Sequence, residues 1–380
     1  MLNSLTIKNF RSLEDFQVTT LGRVNLIVGK NNSGKSSVLE ALRIYAGNAH
    51  QDVLEKIAKG HDEPCFLDNN AKEGIKGSLP YEDLFTGRQF PEDEKPIVIG
   101  EQDDDRALRI YHVYRVEKEV IATDEEGNKE AIKRPVSITH LGLTEFNQVI
   151  GEGLLIKKAG KTAGIDFNVI SPDFRRFVTV GKPLPCSVIP TQLLTMNELA
   201  NDWDSIALTE AEETVKEAMK IILPEFENLI FVNDASYSEN KDIRRIAKVK
   251  IKGLSRPVPL NSLGDGMVRI LQLVLKLFPA QGGFLLIDEF ENGLHYSVQE
   301  KVWRLLFELS AKLDIQVFAT THSWDCIESF AKVAIEKQDV EGLLFRVGQS
   351  VRNSDKGRVI ATVFDEEQLY NITQSDVEVR

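Results

Sequence analysis

The segment from Gly29 to Ser36 reads GKNNSGKS, an unbroken G-x4-G-K-S pattern, and it restricts the possible fold more than any other part of the chain. The apolar run Val24–Val28 precedes it, and residues with helical spacing follow over Ser37–Tyr45. Glycines let the backbone approach phosphate oxygens closely, and the amides at the start of the helix then face those oxygens. The sequence therefore predicts a strand, a phosphate-binding loop and a helix, in that order.

The side chains of this loop match the needs of a nucleoside triphosphate site. Lys35 is expected to reach the β and γ phosphates, and the Ser36 hydroxyl is expected to bind Mg²⁺. The predicted cofactors are therefore ATP and Mg²⁺. The loop residues expected to bind ATP are Asn31, Asn32, Ser33, Gly34, Lys35, Ser36 and Ser37.

Two further apolar runs end in polar side chains. Asp288 and Glu289 follow Phe284–Ile287, and His322 follows a run that begins at Val317. Helices and strands alternate after residue 256, which predicts parallel strands whose carboxyl ends share one edge. There Asp288 would hold Mg²⁺ through water, Glu289 would act as general base on the attacking water, and His322 would donate to the γ-phosphate. Lys35, Glu289 and His322 are the predicted catalytic residues.

Composition restricts the class of protein. Hydrophobic residues make up 42% and charged residues 27% of the 380 residues, which is ordinary for a globular protein. There is no apolar stretch long enough for a transmembrane helix and no signal-peptide pattern. The three cysteines lack CxxC spacing, which argues against a disulfide framework or a zinc site. We therefore expect a cytoplasmic protein with no membrane partner.

The net charge of −12 does not favour nucleic-acid binding. Residues 240–256 are locally basic, however, and Lys248, Lys250 and Lys252 alternate with apolar residues, so that one face of a strand carries lysines. One interpretation is that the strand is exposed or at a sheet edge and that the lysines keep it soluble. The other is that the lysines contact the phosphate backbone of a nucleic acid.

The three motifs, in this order, resemble the ABC ATPase superfamily. The finer pattern resembles its RecF/SMC/OLD-like branch, often called AAA-family ATPases: IKNFRS at Ile7–Ser12 before the loop, DEFENGLH at Asp288–His295, and TTHS at Thr320–Ser323. The resemblance implies an α/β fold, an ABC-ATPase head with a P-loop parallel or mixed sheet core, an antiparallel β subregion and a helical insertion lobe.

This implied division has boundaries in the sequence. Residues 1–60 and 256–380 are expected to form the ATPase core. Residues 61–140 are expected to form the antiparallel subregion, with strands at 106–121 and 129–138 around a turn at 124–128. Residues 141–255 are expected to form the helical or mixed insertion, with helices at 143–150 and 209–223.

The resemblance also implies contacts from a second chain. ABC heads sandwich each ATP between the loop of one subunit and the signature segment of another, so a homodimer is expected. The signature position departs from LSGGQ, which leaves either the amides of the Gly264–Gly266 turn or Ser262 to meet the γ-phosphate. The residues implied to act across the dimer are Ser262, Gly264, Asp265, Gly266 and His295.

Several of these roles have alternatives. His295 is otherwise a surface loop residue, and Arg11 either approaches the nucleotide, as in the branch, or is a surface strand arginine. The Q-loop glutamine is Gln102 or Gln192.

The resemblance implies an ATP-hydrolysing switch. Its work is expected in anti-phage defence or DNA maintenance with a separately encoded nuclease or toxin, because the segment after His322 is too short for a Toprim nuclease. The alternative is a RecF/SMC-like DNA clamp in which hydrolysis resets loading, although no long coiled coil is present.

Overall fold

The computed structural model describes residues 1–61, 63, 80–102, 104–123, 129–139, 149–167, 180–234, 244–337, 339–352, 355, 357–364, 368–369 and 371. Its strands in chain order are β1 (Leu5–Phe10), β2 (Leu13–Val18), β3 (Val24–Val28), β4 (Ile97–Gly100), β5 (Leu108–Thr123), β6 (Lys129–Ile138), β7 (Val149–Lys158), β8 (Lys161–Asp166), β9 (Cys186–Ile189), β10 (Phe226–Asn233), β11 (Arg245–Ile251), β12 (Val258–Pro259), β13 (Phe284–Ile287), β14 (Gln316–Thr321), β15 (Gly342–Gln349) and β16 (Val359–Phe364). Its helices are α1 (Lys35–Ala46), α2 (Gln51–Gly60), α3 (Met196–Ile206), α4 (Glu210–Met219), α5 (Asp265–Leu275), α6 (Tyr296–Lys312) and α7 (Trp324–Glu336).

The central sheet has the order β16-β15-β3-β14-β13-β9. Its strands pair in parallel, except that β16 pairs with β15 in the antiparallel sense. The carboxyl ends of β3, β14, β13 and β9 therefore lie side by side at one edge, where α/β sheets bind their ligands. The predicted α/β class with a parallel or mixed core is confirmed.

This sheet separates two hydrophobic cores. Successive side chains of a strand point to opposite faces, so Leu285 and Ile287 of β13 belong to one core, and Phe284 and Leu286 belong to the other. Helices α5, α6 and α7 contribute to the first core, and α1 and the antiparallel sheet contribute to the second. The strands are buried on both faces, which explains why they appear in the sequence as unbroken apolar runs.

The antiparallel sheet extends beyond the predicted limits of 61–140. It has the order β2-β1-β4-β5-β7-β8, with β6 also paired to β5, so it recruits β1 and β2 from the segment expected in the core and β7 and β8 from the segment expected in the insertion. Conversely, β9 lies within 141–255 and joins the parallel sheet. Local periodicity identifies a strand but not its long-range partners, which accounts for these differences.

The rest of the predicted insertion contains α3, α4 and a small sheet of order β10-β11-β12. In place of the end of the helix expected at 143–150, residues 149–150 begin β7; residues 143–148 and the turn at 124–128 lie outside the described residues. Within the described residues, every helix is too short or too polar to cross a membrane.

The contact between β9 and β13 leads to a stability prediction. A Cβ added at Gly283, just before β13, would lie 1.9 Å from the Pro185 carbonyl oxygen, so the two strands would have to separate. We expect Gly283→Ala to lower the free energy of unfolding by about 1–3 kcal/mol, as overpacking does, measured by urea denaturation. Gly164→Ala in β8 is the matched control, because its Cβ would lie 3.7 Å from the nearest atom, the Leu154 carbonyl oxygen. Equal changes in the two variants would contradict the prediction.

Candidate functional site

The loop between β3 and α1 takes a shape that depends on glycine. Gly29 has φ 151°, Asn32 has φ 58° and Gly34 has φ 103°. A Cβ added at Gly29 would lie 2.3 Å from the Val347 carbonyl oxygen and 2.7 Å from the Ser33 hydroxyl oxygen. The loop is thus held tightly against β15, which accounts for the glycines at these positions.

The Lys35 side chain lies over its own loop. Its Nζ donates to the carbonyl oxygens of Gly29 at 2.8 Å and of Lys30 at 3.0 Å. Burial lowers the pKa of Lys35, and the nearby carboxylates of Asp288 and Glu289 oppose that shift. The amine therefore lies between the loop and the acidic residues at the end of β13.

The remaining loop residues leave polar groups available at the start of α1. Asn31, Asn32 and Ser36 are exposed, and Ser37 is half-buried. The Ser33 hydroxyl is buried without a hydrogen-bond partner. Helix α1 has neither a side-chain cap nor an acidic residue in its first turn, so its first amides and its positive dipole end suit an anion.

Two threonines hold the carboxylate of Asp288. The Thr320 hydroxyl donates to Asp288 Oδ1 at 2.7 Å, and the Thr191 hydroxyl donates to Oδ2 at 3.2 Å. Thr320 Oγ1 also accepts from the backbone N–H of Glu289 at 2.9 Å. Sequence reasoning missed both threonines, although Thr320 stood within the quoted TTHS motif.

His322, just after β14, is held by a glutamate that the sequence reasoning did not single out. The carboxylate oxygen Glu291 Oε1 lies 3.1 Å from His322 Nδ1 and accepts from the His322 backbone N–H at 3.1 Å. The nearest oxygen of Glu289 lies 3.7 Å from Nδ1. The structure therefore brings Lys35, Asp288, Glu289 and His322 to one edge of the sheet.

These side chains fit a nucleotide with Mg²⁺. A serine hydroxyl and a carboxylate are hard oxygen ligands, which Mg²⁺ prefers, and Mg²⁺ usually takes its other ligands from phosphate and water. In keeping with such sharing, the described residues contain no cluster of three or more His, Cys, Asp or Glu side chains able to hold a metal ion alone. Lys35, the orphaned Ser33 hydroxyl and the uncapped α1 terminus fit the phosphates.

The signature position lies at the start of α5. Gly264 has φ 91°, and the turn formed by Gly264, Asp265 and Gly266 is mostly exposed. A Cβ added at Gly266 would lie 3.1 Å from the Gly293 carbonyl oxygen, so this turn packs on the Asn292-Gly293 turn that follows Glu289. Ser262 is exposed, and its hydroxyl donates to the Pro259 carbonyl oxygen at 2.6 Å.

His295 and Arg11 have structural contacts. His295 caps α6, where its Nδ1 accepts from the Ser297 N–H, and its ring is exposed. The Arg11 guanidinium lies 3.1 Å from Glu40 Oε2 of α1 and 3.0 Å from Glu63 Oε1. These contacts pair Arg11 with two acidic residues, one of them on α1, and its approach to the nucleotide stays a prediction.

The two Q-loop alternatives lie in different sheets. Gln192 follows β9 and is adjacent to Thr191, at the edge that carries Asp288. Gln102 follows β4 in the antiparallel sheet.

The sequence reasoning also missed Arg269 of α5, which is fully buried. Its guanidinium donates to the carbonyl oxygens of Pro190, Asp288 and Glu289 at 2.8, 3.0 and 2.8 Å. The available signal was a lone arginine within the helix predicted over 267–278.

Comparison with known families gives two matches. Residues 1–168 match a family described as "AAA ATPase domain". Residues 201–325 match a family described as "AAA domain, putative AbiEii toxin, Type IV TA system".

The chain is also similar to individual proteins and solved structures. An "ATP/GTP phosphatase" of Helicobacter pylori is 25% identical over 89% of this chain and 89% of its own. The "DNA replication and repair protein RecF" of Pectobacterium atrosepticum is 34% identical over 20% of this chain and 21% of its own. The "SMC head domain from Thermotoga maritima" aligns with 96% of this chain and 99% of its own at 15% identity, with a TM-score of 0.42.

The phosphate loop, the acidic strand end and the two AAA matches agree with the relative that shares nearly the whole chain. The chain is an ATP-hydrolysing P-loop ATPase, similar to AAA ATPase families over residues 1–168 and 201–325.

Proposed function

We propose that the protein is a switch in which two copies close around ATP and separate after hydrolysis. The observation that carries this proposal is the position of the exposed Gly264–Gly266 turn. It packs on the segment that follows β13, whereas the phosphate loop follows β3, two strands away in the sheet. Strands are about 4.8 Å apart, so these two strand ends are separated by roughly 10 Å. The turn is therefore better placed to meet the ATP of a second chain.

Each chain then supplies the loop and the reacting groups for its own ATP. Lys35 and the α1 amides bind the phosphates, and Ser36 and Asp288 hold Mg²⁺, which supplies charge neutralisation when bound. The Glu289 carboxylate, which is partly exposed, accepts a proton from the attacking water. His322, whose Nδ1 faces Glu291, presents its other ring nitrogen to the γ-phosphate.

The partner chain supplies the amides at the start of its α5. The Ser262 hydroxyl already donates to a carbonyl oxygen, while the α5 terminus has no side-chain cap. A partner's γ-phosphate at this uncapped terminus would also interact favourably with the helix dipole, and the Asp265 carboxylate in the first turn would oppose part of that attraction. His295 and the Asn292-Gly293 turn border the same contact surface.

The biological role is proposed from the descriptions of the proteins that this chain resembles. One matched family is described by a toxin of a toxin–antitoxin system, and the relative that shares nearly the whole chain is described as a phosphatase of ATP or GTP. The second description supports nucleotide hydrolysis, and the first supports an ATPase that controls a separately encoded effector. We place this ATPase in the cytoplasm, in anti-phage defence or DNA maintenance.

A DNA clamp is the second candidate, supported by Lys248 and Lys250 of β11 and by Lys252 just after it. In the structure β11 is the middle strand of its sheet, and Lys250 Nζ lies 2.7 Å from Glu227 Oε2. This pairing neutralises part of the basic face. A clamp predicts that duplex DNA raises ATP turnover and that the double variant Lys248→Glu, Lys252→Glu abolishes the stimulation. Turnover unaffected by DNA would favour the effector switch.

Glu289→Gln tests the proposed role of the Glu289 carboxylate as general base. The amide cannot accept the proton from water, so we expect turnover to fall by about 10²–10⁴ while ATP binding persists. Light scattering should then report a stable dimer with ATP and a monomer without it. Turnover at the wild-type rate would contradict the general-base assignment, and a mass that does not change with ATP would contradict the switch.

Mixing two inactive variants tests whether the site is shared. Lys35→Ala should lack ATP binding, and Asp265→Trp should block the exposed turn that approaches the partner. A mixed dimer regains one complete site, so an equal mixture should recover about a quarter of wild-type turnover if subunits exchange freely. Asp52→Trp is the control for the bulky substitution, because Asp52 is an exposed acid in the first turn of α2. Failure of the mixture to recover any activity would count against a site built from two chains.

A further inference from the structure

Arg269 is a buried cation whose hydrogen bonds all go to the main chain. Its Nη1 donates to the Pro190 carbonyl oxygen at 2.8 Å, and its Nη2 donates to those of Asp288 at 3.0 Å and Glu289 at 2.8 Å. These acceptors lie just beyond the carboxyl ends of β9 and β13. The Arg269 side chain thus connects the carboxyl end of β9 to that of β13, next to Asp288 and Glu289.

The bond to the Glu289 carbonyl oxygen falls at a strained residue. Glu289 has φ 48°, in the left-handed region of backbone conformation that residues other than glycine rarely adopt. Such a conformation persists only where surrounding contacts hold it. Here the Thr320 hydroxyl accepts from the Glu289 N–H, and Arg269 donates to the Glu289 C=O. The two contacts hold the backbone of Glu289 from both sides.

The charge of Arg269 acts on the same region. Burial lowers the pKa of Arg269 to about 10, opposed by the carboxylates of Glu291, Asp288 and Glu289. Because the guanidinium bonds to carbonyls, it stabilises these anions without occupying the Glu289 carboxylate. That carboxylate stays open to water, as a general base must be.

We propose that Arg269 is a positioning residue for Glu289 and that it transmits contact at the α5 terminus to hydrolysis. The second part rests on the proposed function, in which the Gly264–Gly266 turn meets the partner's phosphate. Arg269 lies about one helical turn after that terminus. A shift of α5 when the partner's ATP binds moves the guanidinium relative to the Asp288 and Glu289 carbonyls, so each chain aligns its own base as it engages the other chain's nucleotide.

Arg269→Lys tests the positioning role, because lysine keeps the charge but lacks the planar fork of donors. We expect kcat to fall about 10- to 100-fold, as misplacement of a reacting group by about 1 Å does, with KM and the Kd for ATP within about twofold of wild type. Added to Glu289→Gln, the substitution should cause no further loss, since it acts through Glu289. Arg304→Lys is the control, because Arg304 pairs with exposed carboxylates on α6 and α7.

A raised KM with unchanged kcat, or a full additional loss in the Glu289→Gln background, would overturn the positioning role. If Arg269→Lys does not fold, Thr320→Val and Thr320→Ser test the second contact that holds the backbone of Glu289, the one at its N–H group. Valine removes the hydroxyl that accepts from the Glu289 N–H and donates to Asp288, so it should lower kcat, and serine should restore it; the Mg²⁺ concentration for half-maximal turnover reports the loss at Asp288 separately. Equal, wild-type rates in both would overturn the proposal.

The transmission is tested by turnover per chain against protein concentration. Wild type should become more active as dimers form, and Arg269→Lys should lose that activation while the Arg269→Lys, Glu289→Gln chain still dimerises with ATP. Activation retained in Arg269→Lys would overturn the transmission. A wild-type rate independent of concentration would instead count against the dimer switch and leave the positioning result standing.

Discussion

The parallel register of β13 with its two neighbours is the constraint on which the site depends. Ile287 pairs with Ala319 of β14 and with Ile189 of β9, so the residues that follow these three come to lie together. The Asp288 N–H donates to the Ile189 carbonyl oxygen at 2.9 Å, and Thr320 reaches the Asp288 carboxylate. A slip of one residue would turn Asp288 into a hydrophobic core.

The acidic groups at this edge are supported by neutral donors as well as by cations. The hydroxyls of Thr191 and Thr320 donate to Asp288, and Arg269 donates to main-chain carbonyls. Hydrogen bonds from the two hydroxyls stabilise the ionised Asp288 carboxylate and fix its orientation without neutralising it. Buried polar networks tolerate partial loss poorly, because each orphaned group then bears its desolvation cost.

The sequence predicted the parts of the site that are encoded locally. The limits of β3, β6 and β13 match the predicted strands, since apolar runs and turn residues mark doubly buried or paired strands directly. The phosphate loop was equally predictable, because its glycines and lysine form one short motif. The nucleotide contacts expected of each residue remain predictions.

What the sequence did not reveal depends on distant pairing. Strand β9 has four residues in a region rich in proline and glycine, and only its pairing with β13 shows that it belongs to the central sheet. Arg11 faces Glu63, which lies 52 residues further along the chain. Arg269 bonds to Pro190, 79 residues before it. The spacing of apolar residues along a short segment does not indicate contacts between residues this far apart in the sequence.

The Arg269–Pro190 hydrogen bond also limits how the insertion can move relative to the central sheet. The lobe of α3, α4 and the three-stranded sheet leaves the central sheet at Pro190 and returns to it at α5, so a single side chain clasps its entry and its exit. The hydrogen bond thus fixes both ends of the lobe beside the strand ends that carry Asp288 and Glu289. Movement of the lobe relative to the central sheet would have to break this hydrogen bond or carry the strand ends with it.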